Sequence, residues 1–393
     1  MAGSMLKKRQ SKVSEYIHRL AYTSVRKRHS GTYSGYMDKR ILIISPYDAL
    51  SHRYWHQGIV REFPDFTFEV VALPPRYFSW RHRGNSLSLA FDPLLAQPYD
   101  LVLATSMTDL SALKGMQPKL VGVPTILYFH ENQFAYPPGR NDEGSVERQI
   151  TSIYSALAAD HLVFNSAYNR DTFLSGTKAL LARMPDHVPH GIVEKLSENP
   201  YVVPVPLDDD LFRMDATGNP PEFEGLSIVW NHRWEYDKGL SALHDIVTTL
   251  IDTEINFTLH LIGQQFRDVP EIMTRVMDLL KDHGSLGQTG FITSRPEYLD
   301  LLARSHIVLS TAIHEFQGLA VLEAVAAGCI PVVPDRLAYP ELFTPEFLYK
   351  TPSDAVALIR QMIHGEIASA DISRLSWQAQ HQAWSELLTS SSI

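Results

Sequence analysis

Short apolar runs, each closed by a polar cluster, recur along most of this chain, stop, and start again. The first set is Ile41–Ile44, Phe68–Leu73, Leu101–Ala104, Thr125–Phe129 and His161–Phe164. The second is Leu226–Trp230, Phe257–Ile262, Ile307–Leu309 and Ile330–Val333. Runs this short suit strands buried on both faces. Their alternation with longer amphipathic stretches calls for helices covering a parallel sheet. The restart after residue 206 makes two such sheets, so the fold class is α/β with two parallel-sheet domains. Between the sets, Tyr201–Phe212 carries prolines and ends in acids, and reads as the crossing between domains.

Composition narrows the class. A chain of 393 residues with 45% apolar content buries a sizeable core and most naturally divides in two. The single cysteine, Cys329, lies in the apolar stretch Ala326–Ile330. It reads as a small buried hydrophobe, excludes an internal disulfide and fits a reducing, cytoplasmic compartment. No stretch approaches the ~20 apolar residues of a membrane span, and no secretory apolar region opens the chain. Charge is uneven: residues 1–40 hold ten Lys or Arg against Glu15 and Asp38, leaving 25 basic and 42 acidic residues in the body. Such an arm can bind polyanions. It reads more simply as a disordered extension or cloning remnant, with Met37 an equally plausible start.

In open parallel sheets, ligands bind beyond the carboxyl ends of the strands. The polar clusters there are Ser45, His130-Glu131-Asn132, Asn165-Ser166, Asn231-His232-Arg233 and Gly263-Gln264. Glu315 and Glu323 follow the run Ile307–Leu309, with Gly318 between them and a helix expected over Leu319–Ala327. The free amides of Phe316, Gln317, Gly318 and Leu319 would open that helix and favour an anion. A diphosphate flanked by two sugars fits, with Glu315 at the strand's carboxyl end and the Glu323 carboxylate within reach of hydroxyls beside the anion. Arg233 and Lys238, in the loop before a helix opening at Gly239, supply a planar fork and a mobile point charge for phosphate. Their other reading is a surface pair bonded to Glu235 and Asp237. His130 could bond a sugar hydroxyl or position a leaving group. Contacts to the nucleotide base are sought after Leu261–Gly263 and around Gly290–Ile292.

Metal readings are poor. His52 and His56 have helical spacing but lack the glutamate of a zinc-protease pattern, and His187 and His190 lie in a proline-flanked loop. Asp208-Asp209-Asp210 resembles paired aspartates that hold a divalent ion on sugar diphosphates, but it falls in the crossing. No metal is expected.

Several stretches together resemble the retaining glycosyltransferases of family four and, within them, the tRNA-queuosine alpha-mannosyltransferase family. They are Tyr128–Gln133, Phe164–Ser166 with Asn169, Pro185–His187, Val229–Lys238, Asp268–Pro270, His314–Phe316 with Gly318, Leu322–Val325 and Tyr339–Glu341. The resemblance covers residue 41 to about 380 and implies a GT-B arrangement, two Rossmann-like domains facing across a cleft. The implied domains are 39–206 on the acceptor side and 207–375 for the nucleotide-sugar, with a last helix at 376–393 crossing back to the first. By resemblance, Arg233 and Lys238 neutralise the donor diphosphate and the amides of Phe316–Leu319 surround sugar and phosphate. Glu315 holds donor-sugar hydroxyls, Glu323 the nucleotide ribose, and His130 stands near the transferred sugar. The implied donor is GDP-mannose and the implied acceptor queuosine in tRNA, with retention of configuration and no metal or other cofactor. The chain departs from the wider superfamily in one loop, Ser45–His52, which has no glycine to let backbone approach the donor phosphates. His52 remains a candidate contact there. Two rivals stand beside this reading: the same donor chemistry on a small glycan, lipid or metabolite, and a non-catalytic RNA-binding protein of the same fold.

Overall fold

The computed structural model describes residues 39–136, 145–214, 225–265, 269–363 and 369–389. The basic arm before residue 39 and Asp268 lie outside them. The first sheet holds β1 Arg40–Ser45, β2 Thr67–Ala72, β3 Leu101–Thr105, β4 Thr125–Phe129, β5 His161–Phe164 and β6 Tyr201–Val202. These strands lie in the order β2-β1-β3-β4-β5-β6, all parallel. The second sheet holds β7 Leu226–Asn231, β8 Phe257–Ile262, β9 Leu286–Gly290, β10 Ile307–Leu309, β11 Ile330–Pro334 and β12 Leu348–Tyr349. Its order is β12-β11-β10-β7-β8-β9, again parallel.

All nine apolar runs form strands, because side chains that alternate between two helix-covered faces must be apolar on both. Ile44 pairs with Ala104, Ala104 with Leu127 and Leu127 with Leu162, so the carboxyl ends of β1, β3, β4 and β5 finish nearly level. Each sheet reverses its order once, between β1 and β3 in the first and between β7 and β10 in the second. A crevice opens at such a reversal because the connecting helices leave on opposite faces.

Three short edge strands had no apolar run to announce them. β9 reads Leu-Gly-Gln-Thr-Gly and buries only its last residue, while β6 and β12 have two residues each. The expected crossing therefore begins as a strand, and only the chain beyond Val202 leaves the sheet. At Leu207 the chain meets its own return: Leu207 N–H donates to Leu375 O at 2.8 Å, and Trp377 N–H to Leu207 O at 3.0 Å. The last helix, Trp377–Thr389, then packs Trp377, Trp384, Leu387 and Leu388 into one core with Ile41, Trp55, Ile59 and Tyr128.

Candidate active site

The loops after β7 and β10 meet at the reversal of the second sheet. Trp230 Nε1 donates to Thr311 Oγ1 at 2.9 Å, and that hydroxyl donates to Lys238 O at 2.7 Å. The amides of Ile313 and His314 both donate to Asp237 O. Gly239 has φ +69°, and a Cβ there would stand 1.9 Å from Thr311 O, so contact between the loops requires glycine. Gly263 does the same for the β8 loop, where a Cβ would lie 2.0 Å from His232 O. Its expected place against the base is thus first a packing constraint.

This weave fixes the charges. Lys238 is buried, its Nζ 2.8 Å from His314 O and 3.2 Å from both Glu315 and Asp237. Arg233 is half exposed, with Glu235 at 2.8 Å and Asp237 at 3.3 Å. The cations stand together with Asp237 bonding both, and Lys238 is buried, which a surface pair would not be. Burial is the largest single influence on Glu315 and would raise its pKa, but Lys238 together with His232 and His314 overcomes it and brings the pKa to about 2. His314 is pushed down to about 4 by burial and Lys238, so its ring is neutral near pH 7.

Gly318, at φ +78°, opens the helix Leu319–Ala326, whose first amides lack intrahelical acceptors. Phe316 N–H turns to Glu315 Oε1 at 3.2 Å. The Gln317 side chain faces the crossing, accepting from Val205 N–H at 3.0 Å and donating to Val205 O at 2.9 Å. Glu323 is buried, one oxygen 2.5 Å from Arg295 Nη2 and the other accepting from the Tyr298 hydroxyl at 3.1 Å. Sequence reasoning missed Arg295 and Tyr298, since their helix Arg295–Ala303 reads as an ordinary capped surface helix after Ser294. Ile292 is half-buried against the second core.

Across the cleft, His130 ends β4 and is buried. Its ring stacks on His52 at 4.2 Å and meets Trp55 and Tyr128 at 4.8 Å. Burial, with His52 and His56 adding to it, holds its pKa well below the usual imidazole value, so His130 is neutral. Its Nε2 is buried, with no hydrogen-bond partner among the described residues. His52 lies 3.1 Å from Glu131. Burial is the largest single influence and disfavours its charge, but Glu131, Asp48 and the Tyr47 backbone together overcome it and raise its pKa. Glu131 in turn is drawn below the usual carboxylate range, against burial, by His52 and by His314 and Arg233 of the second domain. Glu131 therefore sits where the domains face each other, as does Tyr136, whose ring lies 4.0 Å from that of His314.

Other candidates serve the loops themselves. Asp48 closes the glycine-free loop, bonding Ser45 Oγ at 3.1 Å, His56 at 3.0 Å and Arg53 at 3.0 Å. Asn132 bonds Asn169 and Thr172 and accepts from two amides, Asn165 donates to His130 O, and Ser166 caps the helix Ala167–Leu181. That helix is also capped from the other domain. Glu341 accepts from the amides of Ala167 at 2.8 Å and Tyr168 at 3.0 Å. Among the described residues, no three His, Cys, Asp or Glu side chains gather as metal ligands. Asp208 pairs with Arg61, Asp210 with Arg213, and Asp209 accepts from Gln378 N–H.

Comparison with known proteins agrees with this layout. Residues 40–207 match the family described as tRNA-queuosine alpha-mannosyltransferase N-terminal, and residues 224–378 match glycosyl transferases group 1. A tRNA-queuosine alpha-mannosyltransferase of Drosophila melanogaster is 31% identical over 317 residues, covering 79% of this chain and 83% of the relative. Two solved structures share the fold at low identity. The lipopolysaccharide outer core galactosyltransferase WaaB gives a TM-score of 0.59 at 13% identity, covering 88% of this chain and 98% of WaaB. Anabaena HepE in complex with UDP and glucose gives 0.61 at 14%, covering 90% of this chain and 100% of HepE. The facing parallel sheets are those of GT-B glycosyltransferases. Sequence and fold together make this chain a member of the tRNA-queuosine alpha-mannosyltransferase family of glycosyltransferases.

Proposed function

We propose that the chain moves mannose from GDP-mannose onto the queuosine nucleoside of tRNA, in the cytoplasm, with retention of configuration and without a metal. The observation that carries the donor half is the pairing of Arg233 and Lys238 through Asp237, beside the amides that open the helix Leu319–Ala326. Two fixed cations and a helix N-terminus together offset the charge of a leaving diphosphate, the work a metal does elsewhere. Glu315 then receives the donor-sugar hydroxyls and Glu323 the ribose, while neutral His130 faces the transferred sugar. In the transfer, the acceptor hydroxyl oxygen bonds to the sugar C1 as the bond from C1 to the phosphate oxygen breaks. Attack comes from the leaving-group side, and the departing phosphate oxygen takes the hydroxyl proton. The family relationship supports the acceptor half.

The test offers a panel of GDP- and UDP-sugars with total tRNA, followed by nucleoside mass measurement. A gain of one hexose on queuosine, with GDP-mannose alone, is expected. Donor turnover with no change in any tRNA nucleoside would replace tRNA by another acceptor, and no turnover with any donor would remove the enzymatic reading.

A further inference from the structure

The seven residues Pro74–Trp80, just beyond β2, are all exposed, and three of them are aromatic. Tyr77 is 73% exposed, Trp80 52% and Phe78 36%, on a protein whose other large side chains mostly fill cores. Arg76 and Arg81 stand among them, the Arg76 guanidinium 5.8 Å from the Tyr77 ring centre. We propose that this run, Arg76 to Arg81, is the surface that holds single-stranded RNA of the acceptor beside the cleft. The proposal rests on the tRNA reading above and assigns it a location.

Three features favour RNA over other occupants. The first is the Trp80 ring, which lies over Gly84, where a Cβ would come within 2.7 Å of it. One face of the indole is thereby laid against its own helix and the rest is left to solvent. A flat, pre-oriented ring is a stacking platform for a base, since every base has a π-face. The second is charge. Arg81 keeps its Nε buried, with no hydrogen-bond partner among the described residues. Partial burial and then Arg76 both disfavour its charge. In a chain of net charge −9, an arginine pair with no ion-pair partner among the described residues calls for a partner that is itself anionic, and a phosphate backbone supplies one. Arg83 differs, since it lines a groove with Asp109 and Glu147, and it is left out of the surface.

The third feature is continuity with the cleft. Phe78 meets Tyr47 edge-on at 5.6 Å, and Tyr47 feels the charges of Arg233, Glu235 and Glu131. The β1 and β2 loops are joined by the bonds Leu73 N–H to Ser45 O and Asp48 N–H to Leu73 O. A strand of RNA stacked on Trp80 and Tyr77 would lead past Phe78 and Tyr47 toward His52 and His130. Tyr77 also holds a left-handed backbone at φ 56°, a strained state for a bulky residue, which turns the chain into the helix Phe78–Leu89.

The test uses the full chain and a labelled anticodon stem-loop RNA carrying queuosine, with affinity read by fluorescence anisotropy across a salt series. Trp80→Ala should weaken RNA binding about 5- to 150-fold, the range for loss of one base–aromatic stack, and Trp80→Phe should stay within about threefold of the parent. Arg76→Gln and Arg81→Gln should each reduce the slope of log affinity against log salt by about one. GDP affinity should not change in any variant. RNA binding and salt slopes that match the parent in Trp80→Ala, Arg76→Gln and Arg81→Gln, with the parent still modifying tRNA, would overturn the surface and leave the function standing. A parent that neither binds nor modifies tRNA would overturn both. Binding of the parent to anionic phospholipid vesicles, lost in Trp80→Ala while RNA binding persists, would assign the run to a membrane and also overturn the proposal.

Discussion

Glu315→Gln keeps the shape of the side chain and an oxygen for Lys238 while removing one charge from the centre of the second domain. The folded carboxyl has a pKa of about 2, against an ordinary value of 4.5, so its charged form is favoured by the fold. That difference corresponds to at most about 3 kcal/mol of stability. Lys238 retains Asp237 at 3.2 Å in the variant, which lowers the expected loss to about 2–3 kcal/mol near pH 7. Because the folded pKa lies below the unfolded one, the contribution is complete above about pH 4.5 and is lost as pH falls toward 2. The stability gap between parent and variant should therefore close over that window, since glutamine does not titrate. Urea denaturation followed by tryptophan fluorescence reads it, with Trp230 fully buried in the same domain. A gap below about 0.5 kcal/mol near neutrality, or one that stays constant down to about pH 3, would refute the reasoning. In catalysis the same variant should lower kcat/KM for the nucleotide-sugar and leave GDP affinity intact, because His314 O and Asp237 still hold the ammonium.

Arg233→Ala should weaken GDP binding by roughly 1.5–3 kcal/mol by calorimetry, and Lys238→Ala similarly. The double variant should fall short of the sum, since Asp237 ties the two cations into one group. Glu323→Ala should weaken GDP and GDP-mannose alike, and an unchanged affinity for both would reduce that carboxylate to an anchor for Arg295 and Tyr298. Turnover should survive a chelator, and loss that magnesium or manganese restores would bring Asp208, Asp209 and Asp210 back as ligands. Glu341→Ala removes an acceptor from two amides of the opposite domain, so solution scattering should show a larger radius of gyration and kinetics a higher donor KM.

The strands were legible wherever the sequence keeps an apolar run, in the inner strands and in the edge strand β2, and illegible at the edge strands β6, β9 and β12, where no such run is kept. Candidate residues at strand ends were found because a parallel sheet brings those ends to one rim. What each side chain does there was not legible. Asn132 and Asn165 look like ligand contacts in the sequence, yet their amides hold the His130 loop together. Gly263 looks like a base contact, yet its φ of +138° and its closeness to His232 O give it a packing reason. Arg295 reaches Glu323 across 28 positions and Glu341 reaches Ala167 across 174, separations over which no local spacing rule operates. The exposed aromatic run Tyr77–Trp80 follows a strand without any apolar periodicity of its own, so only its exposure in the fold distinguishes it from core.

The return of the last helix sets an order of events during synthesis. Trp384 lies 5.4 Å from the Tyr128 ring and 6.0 Å from Trp55, the two rings against which His130 rests. Trp377 fills the space over Gly58. The first domain is thus translated through Val205 about 170 residues before the side chains that complete its core emerge, a wait of roughly 10–35 s at ribosomal rates of about 5–20 residues per second. Throughout that interval Trp55, Ile59 and Phe63 present an open apolar face while the second domain, whose core cluster ends at Leu375, is still being made. A chain that stops short of Trp377 leaves both the cover and the bed of His130 unmade.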